Sequence, residues 1–296
     1  MTETVKADDV VRFSLKKCND DLAAKLKSEV IVIRSPIYMG LDDLIRVEIE
    51  RMANGVRRLP KLTVMLETTG GLVEVGERIN NVFIKHFNEV HYVVPGYAYS
   101  AGTVLALSGD DIHMDYYSVL GPIDPQIQNG NGEFVPGMGI LYMYDELVEK
   151  SKNETISPAE LLFLTRQFDP ATMFIIQQAK NHAEDLIKEW LPKYKFKDWK
   201  ITGTRKKAVS MADKKRRAAQ IAEVLGNAKK WHSHGRGITM RELQGSEIKL
   251  KISDFGQDAD LSYKIRQYYE LFLDYGQKIN SKYAIHNRFG LQRVGS

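Results

Sequence analysis

Val90-His91-Tyr92-Val93-Val94-Pro95-Gly96-Tyr97-Ala98-Tyr99-Ser100-Ala101-Gly102-Thr103-Val104-Leu105-Ala106-Leu107 joins two apolar runs of different character across a proline–glycine break. The first is rich in valine and aromatic residues and reads as a strand over 90–94. The second is rich in alanine and leucine and reads as a helix over 100–107. Ser100 stands between them. At a strand-to-helix corner backbone N–H groups lack partners and the helix end is electropositive. Both favour an oxyanion forming beside the hydroxyl. Serine is also a preferred helix N-cap, so this stretch by itself leaves both readings open.

The pattern extends on either side. Residues 30–34 and 62–66 are short apolar runs that read as strands, and 111–114 is a third, shorter one. Asp42 and Asp43 open a helical pattern with Leu44, Ile45, Val47, Ile49 and Met52 apolar. Another comes after 62–66, with Val73, Val75, Ile79, Val82, Phe83 and Phe87 apolar. Strand and helix therefore alternate to residue 115, the pattern of parallel βαβ units with right-handed crossovers. A turn-rich segment, 116–125, and a loop or hairpin tip at 128–132 come next.

From residue 141 the pattern becomes mainly helical. Ser157-Pro158-Ala159-Glu160 combines a cap, a first-turn proline and a third-position glutamate. A long amphipathic helix is expected over 172–190, stopped by Leu191-Pro192, and a basic one over 211–225, ended by Gly226. A capped turn at 239–243 and a tyrosine-rich helix at 261–279 complete the chain. At the N-terminal side a polar lead-in and a short helix at 19–26 are expected. These readings give an α/β fold divided into a lead-in (1–29), a main domain (30–250) and a helical extension (251–296). The extension carries Tyr263, Tyr268, Tyr269, Leu271, Phe272 and Tyr275, a composition suited to a homo-oligomer interface.

Composition narrows the class. The 296 residues are 43% hydrophobic and 27% charged, as in globular proteins. Cys18 is the one cysteine, which excludes an internal disulfide and a cysteine-rich metal site and fits a reducing compartment. No apolar run is long enough to span a bilayer, and the polar, acidic first residues are unlike a signal peptide. A cytoplasmic location is expected. The net charge of +4 conceals an asymmetry: residues 1–150 hold 15 Lys/Arg and 22 Asp/Glu, residues 151–296 hold 27 and 16. The basic excess peaks between Lys193 and Lys230. It reads as a solvated face rather than a nucleic-acid footprint.

Two glycine corners now line up at the carboxyl ends of neighbouring strands: Gly70-Gly71 after 62–66, and Ser100-Ala101-Gly102 after 90–94. Ligands bind at that end of open α/β sheets. Two backbone N–H groups beside a serine hydroxyl are the parts of an acyl-transfer site.

Thr69-Gly70-Gly71-Leu72-Val73 resembles the Gly-Gly corner of the Clp-fold serine peptidases, and Gly96-Tyr97-Ala98-Tyr99-Ser100-Ala101-Gly102-Thr103 resembles their nucleophile segment. The run from Asp111 through Gly121-Pro122-Ile123-Asp124-Pro125-Gln126 resembles the next segment in that family. Ser233-His234-Gly235-Arg236, with Ile238-Thr239 and Glu242 beyond, is similar to a late motif of one branch, the serine dehydrogenase proteinases, relatives of signal peptide peptidase A. The resemblance covers roughly residues 30–250 and is closest from 62 to 126. It implies a Clp/crotonase-like fold of repeated βαβ units, a serine peptidase acting on peptides or proteins, and a homo-oligomer; it implies no cofactor and no metal. Ser100 matches the nucleophile, the Ala101 N–H one oxyanion donor, and the N–H of Gly70 or Gly71 the other.

The general base is less clear. Clp enzymes use a histidine and an aspartate, but Asp124 falls about where that histidine would stand, which argues against a Ser-His-Asp triad. The signal-peptide-peptidase branch uses a lysine ahead of a Ser/Thr-Pro-x-Glu helix start. Lys152 precedes Ser157-Pro158-Ala159-Glu160 and is the implied base, with Lys150, Lys180 and His113 as alternatives. Desolvation can lower a lysine's pKa enough for that role. His232 and His234 are two residues apart, not the spacing of a helical metal pair, and read as loop residues. Thr69 replaces the family's proline, which keeps open an inactive oligomeric scaffold on the same fold. A crotonase-type acyl-CoA enzyme is the third reading, and a serine at the nucleophile position argues against it.

Overall fold

The computed structural model describes residues 6–55, 59–128, 134–203 and 206–295. In chain order α1 (Ala7–Leu26) leads to β1 (Glu29–Arg34), α2 (Leu41–Ala53), β2 (Lys61–Glu67), α3 (Val73–His86) and β3 (Glu89–Val93). Then come β4 (Tyr97–Ala98), α4 (Ala101–Ala106), β5 (Asp111–Met114), β6 (Val119–Leu120), β7 (Gln126–Gln128) and β8 (Phe134–Pro136). Helices α5 (Gly137–Lys152), α6 (Pro158–Gln167), α7 (Pro170–Lys193), α8 (Met211–Leu225) and α9 (Ala228–Trp231) come after these strands. The rest is β9 (Ile238–Thr239), α10 (Met240–Gln244), β10 (Ser253–Asp254), α11 (Ala259–Lys278), β11 (Ala284–Asn287) and β12 (Gly290–Arg293).

Seven strands form the central sheet in the order β10-β5-β3-β2-β1-β11-β12. The five from β10 to β1 are parallel; β11 and β12 are antiparallel additions at one edge. Register explains why these strands are apolar nearly throughout. Ile31, Val64, Tyr92 and Ile112 make one row across the sheet and bury against α2, α3, α4 and α7. Val32, Met65 and Val93 make the next row, on the opposite face, against α1 and α11. A parallel sheet covered on both faces leaves little room for polar alternation.

A second sheet, β4-β6-β9, stands at the carboxyl end of the first. Ala98 pairs with Leu120 in parallel, and Leu120 with Ile238 antiparallel. β7 and β8 pair with each other, flanking the loop expected at 128–132, of which 129–132 lie outside the described residues.

The alternating elements through residue 115, the capping box at Ser157–Glu160 and the basic helix over Met211–Leu225 fall where the sequence places them. The two ends differ. α1 runs for 20 residues rather than starting at 19, because Leu15, Leu22 and Ala23 bury along it. Residues 251–296 are not purely helical: β10, β11 and β12 join the central sheet, and α11 packs on α1. The boundaries expected at 29 and 250 therefore fall inside continuous packing. The tyrosine-rich face is also used within the chain. Tyr268, Phe272 and Tyr275 are buried beside α1, and Tyr268 lies within hydrogen-bonding distance of Asn19 and His286; only Tyr263 of that group is well exposed. Among the described residues no helix is long and apolar enough to cross a membrane.

Candidate active site

The two glycine corners meet. Thr68 and Ala98 form a parallel bridge, with the Thr68 N–H donating to the Tyr97 carbonyl at 3.1 Å and the Tyr99 N–H to the Thr68 carbonyl at 3.0 Å. That bridge carries the end of β2 alongside the turn into α4. Gly70 then lies directly against the serine: a Cβ placed on it would sit 2.7 Å from Ser100 Cβ and 2.7 Å from the Tyr99 carbonyl oxygen. Its φ of +95° suits glycine for a second reason. Gly71, at φ +142°, is bridged to Ile37, whose carbonyl oxygen would be 2.1 Å from a Cβ there. In that bridge the Gly70 carbonyl and Leu72 N–H bond to Ile37, so the Gly71 N–H is turned to the other edge of the segment.

Ser100 occupies the N-cap position but does not cap. Its φ and ψ are +53° and −120°, and its side chain makes no cap hydrogen bond. A non-glycine residue in this region carries strain of order 1–3 kcal/mol and persists only where neighbours hold it. Here the holding groups are visible. The Ser100 carbonyl accepts from the Thr103 and Val104 N–H groups at 2.9 and 3.2 Å. Thr103 is buried, and its hydroxyl lies 2.8 Å from the Ala98 carbonyl and 2.9 Å from that of Gly121, while accepting from the Gly121 N–H. Among the described residues neither the Ser100 hydroxyl nor the Ala101 N–H has a hydrogen-bond partner. The Gly70 N–H, by contrast, donates to Thr68 Oγ1 at 3.1 Å. Of the two glycine donors expected from the sequence, Gly70 thus already has a partner, whereas the Gly71 N–H has none among the described residues. A half-buried hydroxyl beside the unpaired Ala101 N–H has part of the composition of an oxyanion site.

The candidate bases are distributed differently. Lys152 closes α5 with its side chain 67% exposed and its ammonium 3.5 Å from Glu149. Lys150 is bonded to Glu160, which holds its pKa above the usual lysine value. Lys180 lies 3.6 Å from Glu184 along α7. His113 stacks on His91 and faces Asp111; burial pulls its pKa down to about 4. It sits among groups around a cavity of about 710 Å³ lined by Glu89, Asp110, Lys195 and Arg217, not in the Ser100 corner. Much of the basic cluster is satisfied internally: Lys195 and Lys197 pair with Asp111 and Asp110, Lys214 donates to the Lys197 carbonyl, and Arg217 to that of Ile248.

One pair lies beyond the reach of sequence reasoning. His234 Nδ1 lies 3.0 Å from Asp124 Oδ1, both side chains nearly buried, at 9% and 2% exposure. His234 Nε2 and Asp124 Oδ2 are buried without a partner among the described residues. They border a cavity of about 310 Å³ with Tyr142, Lys229, His232 and Ser233. The pair joins residues 110 apart in sequence, so no local pattern announces it. The available signals are an aspartate standing where a histidine is usual and the late motif Ser233-His234-Gly235-Arg236, and neither points to the other.

The family model described as ClpP-like SDH-type serine proteinase matches residues 23–206, more than half of the chain. Two curated proteins of Methanocaldococcus jannaschii are similar. Uncharacterised protein MJ0137 is 28% identical over 152 residues, 50% of this chain and 48% of the relative. Uncharacterised protein MJ1495 is 34% identical over 110 residues, 36% of each. The chain thus spans about half, or less, of the length of the curated relatives it matches. Among solved structures, a mutant of the 1510-N membrane-bound stomatin-specific protease is 15% identical, with a TM-score of 0.44 over 76% of this chain and 79% of that one.

Proposed function

The chain belongs to the ClpP-like SDH-type serine proteinases, and from that membership we propose that it is a serine endopeptidase in which Ser100 attacks the peptide carbonyl. The N–H groups of Ala101 and of the Gly70-Gly71 corner, Gly71 foremost, stabilise the oxyanion. The observation that carries the reading is the strained Ser100, at φ +53°, with an obligate glycine packed against its Cβ. A helix cap needs neither feature, whereas a hydroxyl held toward a reacting carbonyl uses both.

Lys152 is the base that the sequence suggests. It is exposed and paired with Glu149 rather than desolvated, which argues against a Ser-Lys dyad. The same arm offers a surface for assembly. α6 buries none of its residues, and Leu161, Leu162 and Phe163 are exposed together with Phe174 and Ile175 of α7. Single chains in water rarely leave a large contiguous apolar patch open. A second copy of this chain is the occupant we assign, working on peptide or protein substrates in the cytoplasm.

A fluorophosphonate, which phosphonylates activated serines, tests the reading. Labelling at Ser100 that Ser100→Ala removes is the expected result. An assembled protein that takes no label would instead be the inactive scaffold.

A further inference from the structure

We propose that His234, oriented by Asp124, is the general base that activates Ser100. The proposal rests on Ser100 being the nucleophile. It starts from the small sheet rather than from any lysine. Ala98, Leu120 and Ile238 lie side by side in β4, β6 and β9. β4 and β6 run the same way, so Ser100, two residues past Ala98, and Asp124, four past Leu120, leave at one end. β9 runs the opposite way, so His234, four residues before Ile238, enters from that same end. Three segments remote in sequence thus deliver a serine, an aspartate and a histidine to one edge. The Thr103–Gly121 hydrogen bonds tie the first two segments together just below it.

The chemistry of the pair fits a base. A carboxylate oxygen accepts, so with Nδ1–H of His234 donating to Asp124 Oδ1 the lone pair is left on Nε2. That nitrogen is buried and unpartnered, a costly arrangement in an apolar surrounding unless another group approaches it. Ser100 Oγ and His234 Nε2 share no hydrogen bond in this structure; catalytic contacts of this kind commonly tighten only with substrate in place.

The steps balance. Nε2 takes the proton of Ser100 Oγ as Oγ bonds to the peptide carbon, and the carbonyl oxygen becomes the oxyanion held by the Ala101 and Gly71 N–H groups. The C–N bond then breaks, and the imidazolium gives its proton to the departing amine. Water attacks the acyl-serine as Nε2 takes its proton. The second tetrahedral adduct collapses, its C–Oγ bond breaks, and the proton returns to Ser100. Asp124 holds the ring throughout and stays ionised. Here the base comes from a late loop, and Lys152 has no proton to move.

The test is the rate of fluorophosphonate labelling of the full-length protein from pH 5 to pH 10. With His234 as base the wild-type rate rises with pH through one inflection that His234→Gln removes. His234→Gln lowers the plateau by about 10²–10⁴-fold, Asp124→Asn lowers it as well, and Lys152→Met leaves both rate and inflection in place. A rate that climbs only in the lysine range, or a His234→Gln protein as fast as wild type, overturns the assignment while leaving Ser100 as nucleophile. Absence of label on wild-type Ser100 at every pH overturns the peptidase reading itself. Should His234→Gln fail to fold, judged by its thermal transition, the wild-type inflection and the Lys152→Met rate decide.

Discussion

The corner around Ser100 and the arm formed by α5 and α6 are built on opposite principles. At the corner backbone and side-chain groups of Thr68, Tyr97, Tyr99, Thr103 and Gly121 hold one another, and a glycine fills the space beside the serine. On the arm α6 buries nothing, its leucines face water, and Lys150 and Lys152 hold surface glutamates. Strain at the corner is sustained because its neighbours are fixed. On the arm α5 packs Met138 and Leu141 on Ile176 of α7, while α6 buries none of its residues. Rigid preorganisation suits transition-state stabilisation, and an unfilled apolar surface suits association. On the reading proposed above, chemistry and assembly fall to separate parts of the chain.

Four experiments test that separation, in decreasing order of effect. Ser100→Ala should abolish fluorophosphonate labelling and peptide hydrolysis while leaving the thermal transition nearly unchanged, since alanine keeps the Cβ and the backbone conformation of the serine. Residual hydrolysis at the wild-type rate would place the nucleophile elsewhere. Gly70→Ala should slow labelling by about 10²-fold or more, because a Cβ 2.7 Å from Ser100 Cβ must displace the hydroxyl. A Gly70→Ala protein of wild-type reactivity would show that the corner tolerates movement and is not preorganised.

Leu162→Asp combined with Phe174→Asp should shift sedimentation to the single chain, with labelling per chain unchanged. Loss of labelling on dissociation would join arm to corner and favour Lys152 as the base. Wild type already sedimenting as a single chain at micromolar concentration would refute the assembly.

The smallest effect concerns stability. Burial depresses the pKa of both His286 and His113 to about 4, against 6.5 for the free side chain. Between those values the unfolded chain binds more protons than the folded one. Stability contributed by keeping these rings neutral is therefore complete above about pH 6.5 and lost progressively as pH falls toward 4. Urea midpoints should drop across that window, and His286→Gln should flatten the drop. A midpoint independent of pH from 7 to 4 would contradict the burial of both rings.

The centre of the sheet is legible in the sequence because its strands are buried on both faces and carry unbroken runs such as Val30–Ile33 and Leu62–Leu66. The edges are not legible. Ser253–Asp254 is two polar residues, and Gly290–Arg293 is half exposed, so neither shows apolar periodicity. The tyrosines of α11 read as an outer surface because their partner, α1, opens with charged residues and hides a sparse apolar stripe of Leu15, Leu22 and Ala23. Ser100 and its glycines are legible as a local motif. The Asp124–His234 pair is not, because its two halves meet only through β6 and β9.

The packing of α1 on α11 also bears on how the chain comes to be folded. A helix made among the first residues has its apolar stripe covered by residues some 250 positions later, and β1 gains one of its two neighbours only when residues 284–287 arrive. Closing so long a loop is entropically slow. During synthesis the parallel core can assemble while one face of its sheet is covered by α1 alone. That face, made of Val30, Val32, Met65 and Val93, is a transient sticky surface. It stays partly open until the last helix and hairpin dock, and a chain cut short before residue 259 would keep it so.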